Sequence, residues 1–361
     1  MKRFCVIPVF IPEKACPFRC VYCNQFHITE HTCSVEPEDV KQQIDSYLKT
    51  VSSETTVRVG FFGGSFTGMP MAEQNRYLDV VQPYIEEGRI REIQLSTRPD
   101  YINEEILKNL QAHHVTTIEL GAQSLDDEVL RLAGRGHTAA EVEQASALIR
   151  SYQFKLGLQM MLGLPGDTRD KALATARRIV ELGAQCTRIY PTLVIKDTEL
   201  ETMYREGNYQ PLTMDEAVAQ AADVMDIFEP AGVQILRVGL HPSEGLISKE
   251  TLVAGPFHVS FKELVETERW RRKLVAALGD SRGGTLQLTV HPSDVNAVIG
   301  YGGANRKWLE ERFQQVVIKQ EEGVERGERR EESGERRVES GEWRDENCRD
   351  AIYRVYKKFT N

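Results

Sequence analysis

The chain has 361 residues, of which 41% are hydrophobic, and a formal net charge of −9. This length exceeds a single core of roughly 100–200 residues, so one large domain and a smaller one are expected. No apolar run reaches the roughly 18 residues that span a bilayer, and Pro8 and Pro12 stand where a signal peptide wants an unbroken apolar core and a small-residue cleavage site, so a cytoplasmic protein with no membrane partner is expected. Seven cysteines, three of them within eight residues, suit metal ligation in a reducing compartment better than a disulfide framework. Segment 321–346 holds eleven acidic residues against six arginines, so it supplies −5 of the net charge. The remaining balance neither demands nor excludes a nucleic-acid partner.

In chain order, short β-branched runs at 6–11, 57–62, 92–96, 115–120, 154–161 and 187–193 read as six strands. Amphipathic stretches separate them. Val40, Ile44 and Leu48 share a helical face, as do Val142, Ala145 and Ile149, then Leu173, Ala176 and Val180. Thr138 with Glu141, and Thr213 with Glu216, read as capping boxes, and Gly183 as a helix stop. Such alternation without hairpin signals implies parallel strands joined by right-handed crossovers, with chemistry at their C-terminal ends. The expected fold is α/β: a partial (βα)6-type barrel over residues 1–240 with a small C-terminal α/β domain over 241–319. A low-complexity charged segment (320–346) and a terminal segment (347–361) follow.

Directly after the first strand stand Cys16, Cys20 and Cys23, spaced C-x-x-x-C-x-x-C. Three thiolates on one iron-sulfur cluster leave one iron open to a further ligand. The alternative is a structural zinc completed by His27, His31 or Cys33. Cys5, Cys186 and Cys348 read as packing residues.

With Tyr22 before the third cysteine, the motif resembles that of the radical S-adenosylmethionine superfamily. The resemblance implies a 4Fe-4S cluster on Cys16, Cys20 and Cys23, S-adenosylmethionine chelated at the open iron, and its reductive cleavage to a 5′-deoxyadenosyl radical. It also implies an electron donor of the flavodoxin or ferredoxin type. Gly63, Gly64 and Ser65, after the second strand, resemble the family's Gly-Gly motif, whose backbone receives the amino group of S-adenosylmethionine. Ser96, Gln123 and Arg135 match the family's ribose and carboxylate contacts, and Gln159 lies on a strand that touches the adenosine in relatives, some of which carry an acidic residue there. Read without the resemblance, Arg98 and Arg135 are surface salt-bridge partners, and the Met160–Met161 pair is core filler.

Residues 119–138 and 190–213 resemble the catalytic subunit of Elongator, a transfer-RNA wobble-uridine modifying enzyme, and its short bacterial relatives, over roughly residues 4–240. This implies an RNA substrate, with transfer RNA foremost; a small-molecule radical reaction and an RNA-binding protein with a structural metal are the alternatives. Acetyl transfer is not implied, because few residues follow 240 and Ala297 stands where an acetyl-coenzyme A loop wants Arg or Gln. Strand 285–290, helix 292–299, loop Gly300-Tyr-Gly-Gly303, helix 304–313 and strand 316–319 resemble a KH core, with Arg306, Lys307 and Arg312 available to phosphates. A glycine-rich helix–helix turn in a lid accounts for the same residues. His241 and His258 are candidates to face the substrate or to serve as structural hydrogen-bonding residues.

Overall fold

A computed structural model describes residues 4–11, 16, 20–24, 35–52 and 54–322, together with the backbone of 355–358. Strand and helix alternate from the start: β1 (Phe4–Ile11), α1 (Pro37–Thr50), β2 (Thr56–Gly63), α2 (Met71–Glu86), β3 (Glu92–Thr97), α3 (Glu104–Ala112) and β4 (Val115–Gln123). Then come α4 (Asp127–Leu132), α5 (Ala139–Ser151), β5 (Lys155–Leu162), α6 (Arg169–Glu181), β6 (Cys186–Pro191), β7 (Val194–Ile195), α7 (Glu199–Arg205), α8 (Met214–Phe228) and β8 (Gln234–Val238). Seven of these strands form one parallel sheet in the order β1-β2-β3-β4-β5-β6-β8, an open half-barrel. All six expected strands are present. The seventh, β8, was not expected; its sequence QILRV is short and half polar, and none of its first four residues is buried.

Period-two alternation sorts the sheet's side chains into two faces. Ile93, Leu95, Ile118, Leu120, Leu158, Met160 and Ile189 alternate on one face and are buried, forming the apolar layer. Residues of opposite parity are largely polar: Gln94, Ser96, Glu119, Gln123, Gln159 and Arg188. A parallel sheet covered on both faces reads as nearly continuous apolar runs, so this polar face marks a cavity rather than a second core.

The helices are stopped and started as their ends require. Thr138 and Thr213 cap α5 and α8 in reciprocal capping boxes with Glu141 and Glu216. On α6 the expected face is shifted. Ala172, Thr175, Ala176 and Ile179 are buried, whereas Leu173 and Val180 are only half-buried, because small residues let the helix lie closer.

The chain divides into two compact units, Met1–Phe261 and Lys262–Asn361. The break falls beyond 240. Residues after β8 stay with the first unit because Leu246 of α9 (Glu244–Ile247) packs on Leu193 and Ile195, and β9 (Leu252–Ala254) pairs with β7.

The second unit contains α10 (Phe261–Leu278, its first residue belonging to the first unit), β10 (Thr285–Val290), α11 (Val295–Ile299), α12 (Ala304–Glu310), β11 (Gln315–Gln320) and β12 (Val355–Lys358). β10 pairs in parallel with β11 and antiparallel with β12. Trp270, Leu274, Leu286, Leu288, Val298 and Leu309 build its core. Between α11 and α12 the Gly300–Gly303 turn is pinned from within: wholly buried Asn305 donates to the carbonyls of Thr267 and Ala297, and its Oδ1 accepts from Arg271.

Candidate active site

At the C-terminal ends of the parallel strands lies a cavity of ≈ 680 Å³. Crevices at this end are where α/β sheets bind ligands, and this size is in the range of about 300–1,000 Å³ that encloses a small molecule. Its wall includes every residue expected to hold the cluster or its cosubstrate: Cys16, Cys20, Tyr22 and Cys23; Gly63, Gly64 and Ser65; and Ser96, Gln123, Arg135 and Gln159. The candidate zinc ligands His27, His31 and Cys33, and also Cys348, lie outside the described residues. Among the described residues, no three His, Cys, Asp or Glu side chains close on a single-ion site.

The cysteine segment is fastened at several points. Cys20–Cys23 forms a turn, with Cys23 N donating to Cys20 O at 3.0 Å. The amide of Val21 donates to Ala133 O, and its carbonyl accepts from the amide of Leu200. Cys16 Sγ lies 3.9 Å from Ser65 Oγ, and burial pushes its thiol up.

At the end of β2, Gly63 adopts φ +105°, and a Cβ there would stand 2.9 Å from the carbonyl oxygen of Ile11. Only glycine fits without strain. The next amide, of Gly64, donates to that same carbonyl at 2.7 Å, so the Gly-Gly turn is clamped against β1.

Neither arginine of the β3 and α4 ends is a surface partner. Arg98 is 4% exposed and makes a bidentate pair with Asp100, both bonds at 2.9 Å. Arg135 is 7% exposed; its Nη2 donates to Gly121 O at 2.6 Å, and its Nη1 to Cys20 Sγ at 3.2 Å and Tyr22 Oη at 3.3 Å. Its Nε has no partner among the described residues. Burial holds the Tyr22 phenol well above its ordinary pKa, so Tyr22 is neutral and Arg135 charged. Burial, then the charges of Arg135 and Arg98, lowers the His137 pKa to about 3.

Farther along the wall, Gln159 Nε2 donates to Gln123 Oε1 at 3.1 Å, and Gln123 sits at φ +66° where the β4–β5 ladder shifts register. Glu119, 3% exposed, accepts two bonds from Arg188, at 2.5 and 3.1 Å. Glu119 and Arg188 were not singled out from the sequence, since they sit on strands separated by β5. At the rim, His241 Nδ1 can only accept from Arg237 Nη2, 3.0 Å away, so its neutral ring carries the proton on Nε2. Burial and Arg237 lower its pKa. His258, whose Nδ1 accepts from the Ser260 amide, is not part of the wall.

Against family models, residues 11–179 match the radical SAM superfamily and residues 184–271 the radical SAM C-terminal domain. The chain belongs to the radical SAM superfamily. Among curated proteins it is 29% identical to a tRNA uridine(34) acetyltransferase of Dehalococcoides mccartyi, over 64% of this chain and 58% of that protein. It is 30% identical to Elongator complex protein 3 of Dictyostelium discoideum over 38% of this chain and 25% of the relative. The chain thus spans well under two thirds of the length of these relatives. Among solved structures, the archaeal Methanocaldococcus infernus Elp3 superimposes with a TM-score of 0.62 at 21% identity, covering 78% of this chain and 66% of that one, a likeness of fold.

Radical SAM membership implies a 4Fe-4S cluster and S-adenosylmethionine, and the residues present fit both. Three thiols share one wall, a buried guanidinium with an orphaned N–H faces them, and the Gly63–Gly64 turn, clamped against β1, lines the same cavity. Among the described residues no helix is long and apolar enough to cross a membrane.

Proposed function

We propose that this chain cleaves S-adenosylmethionine reductively at a 4Fe-4S cluster held by Cys16, Cys20 and Cys23, and acts on RNA, with the transfer-RNA anticodon region as its substrate. Cys16, Cys20 and Cys23 would hold the cluster, which would supply the electron for reductive cleavage of the cosubstrate's sulfonium. The observation that carries this reading is the convergence of all three cysteines and all eight flanking candidate residues on one cavity wall. Gly63 and Gly64 offer backbone to the amino group of the cosubstrate, and Ser65, Ser96, Gln123 and Gln159 offer hydroxyl and amide partners to its polar edges. Tyr22 stays neutral and closes the cavity beside Cys20. His241 offers an Nε2–H donor at the rim.

The transfer-RNA part draws on the relatives, one of which is called a tRNA uridine(34) acetyltransferase. The second unit supports it as a KH-like backbone-binding element. Its Gly300–Gly303 turn has open space where a Cβ at Gly302 would stand, and Arg306 and Lys307 are exposed immediately after it. A flavodoxin or ferredoxin of the cytoplasm is the proposed electron donor. Incubating reconstituted protein with S-adenosylmethionine and dithionite tests the chemistry: 5′-deoxyadenosine is expected, and its absence from cluster-replete protein would exclude this activity. Addition of an anticodon stem-loop should raise its yield and change the mass of one nucleoside.

A further inference from the structure

We propose that Arg135 is the counter-ion of the cysteine-bound cluster, donating through Nη1 to the sulfur of Cys20 and thereby raising the cluster's reduction potential. The inference rests on the cluster reading above and assigns Arg135 a task that exists before any cosubstrate binds.

Arg98, Arg135 and Arg188 are largely buried, and two of them are neutralised in the ordinary way. Arg98 holds Asp100 and Arg188 holds Glu119, each through two bonds. Arg135 is different. Among the described residues its partners are a carbonyl, a phenol and a thiol, with Nε left over, and no carboxylate pairs with it. A buried guanidinium without an anion is unfavourable unless something negative is seated beside it. Of these partners, the Cys20 sulfur is the one that would carry negative charge as a thiolate ligand of the cluster.

The local sequence is shaped to bring the charge there. Gly134 and Gly136 take φ +65° and +72°, so the chain reverses on both sides of Arg135 and turns its side chain inward. The amide of Arg135 donates to Leu130 O at the end of α4, and Ala133 O accepts from the amide of Val21 inside the cysteine turn. Guanidinium and sulfur are therefore fixed to each other through backbone, not merely through two flexible side chains. Hydrogen bonds and positive charge at a cluster's sulfurs favour its reduced, more negative state.

The test compares anaerobically reconstituted full-length wild type, R135Q and R135K in the absence of S-adenosylmethionine. Iron and sulfide per chain are measured, and the reduced cluster is followed by electron paramagnetic resonance at a series of fixed solution potentials. For R135Q the ratio of reduced to oxidised cluster at a given potential is expected to fall about tenfold, a midpoint about 59 mV lower for a one-electron couple. R135K, which keeps the charge, should shift less than R135Q. Loss of iron from R135Q with full iron in R135K also supports the counter-ion role. A change of less than threefold in cluster-replete R135Q overturns it, and so does loss of iron from both variants. Wild type without a cluster would instead remove the reading on which the inference stands.

Discussion

Glu119 and Arg188 bridge β4 to β6 across the face of β5, and breaking this bridge should be costly while removing it whole should not. The crossing is possible because Gly157 lies between them: a Cβ there would come within 2.8 Å of Glu119 Cγ and 3.0 Å of Cys186 Sγ. Arg188 also stacks on Phe62, 5.0 Å from the ring centre. With Glu119 3% exposed, E119Q leaves a largely buried guanidinium without its carboxylate, which costs about 3–5 kcal/mol. At about 2–4 °C per kcal/mol for a unit of this size, the melting temperature should drop by roughly 6–20 °C. The double variant E119M/R188M removes both charges and keeps apolar volume, so its loss should be smaller than that of E119Q or R188M alone. Urea unfolding of wild type, E119M, R188M and E119M/R188M at neutral pH closes the cycle and gives the coupling energy directly. A loss under 1 kcal/mol in E119Q, or a double variant as unstable as the sum of the singles, would refute the idea that this pair acts as one buried unit.

Three other outcomes follow from local geometry. G63A places a methyl against the Ile11 carbonyl at a left-handed φ, a strain of about 1–3 kcal/mol; calorimetric titration should show at least tenfold weaker S-adenosylmethionine binding by a folded protein, and unchanged affinity would contradict the clamp. Burial raises the Asp167 pKa from 3.8 to about 6, although its carboxylate accepts from the amides of Gly163 and Thr168. The folded state therefore holds a proton the unfolded state has released: the stability this group contributes is complete below about pH 3.8 and is lost as pH rises through about 6. The stability of wild type minus that of D167N should thus fall by up to roughly 3 kcal/mol between pH 4 and pH 7, and a flat difference would place Asp167 in water. In the second unit, R306Q/K307Q should flatten the salt dependence of RNA binding by about 1.4 in logarithmic slope, two contacts at ~0.7 each, and an unchanged slope in filter binding would remove this turn from the RNA path.

Much of this organisation was legible in the chain because its signals are local. Thr138 and Thr213 announce helix starts through a residue three positions away, and the cysteine spacing and the Gly-Gly pair after β2 are contiguous motifs; all lie where the alternation of strands and helices puts them. What escaped depends on partners far apart in sequence. Glu119 and Arg188 are 69 residues apart and meet only once β5 is inserted between their strands. Likewise, β8 is a half-polar edge strand recruited by its parallel neighbour β6 rather than by its own pattern. Between the site and surface readings of Arg98 and Arg135, charge alone does not decide, because it does not say that two flanking glycines, or an Asp two residues on, will fold a guanidinium inward. A signal for the cavity was available in the polar parity of Gln94 and Ser96, of Glu119 and Gln123, and of Gln159, a pattern foreign to a fully packed parallel sheet.

The most direct measurement is Mössbauer spectroscopy of anaerobically purified, iron-57-labelled protein, with C16A, C20A and C23A measured alongside. Wild type should give the spectrum of a four-iron cluster, with one iron altered when S-adenosylmethionine is added, and each alanine variant should lose it. Zinc in place of iron, or a cluster that persists in any one of the three variants, would contradict a cluster built on these cysteines.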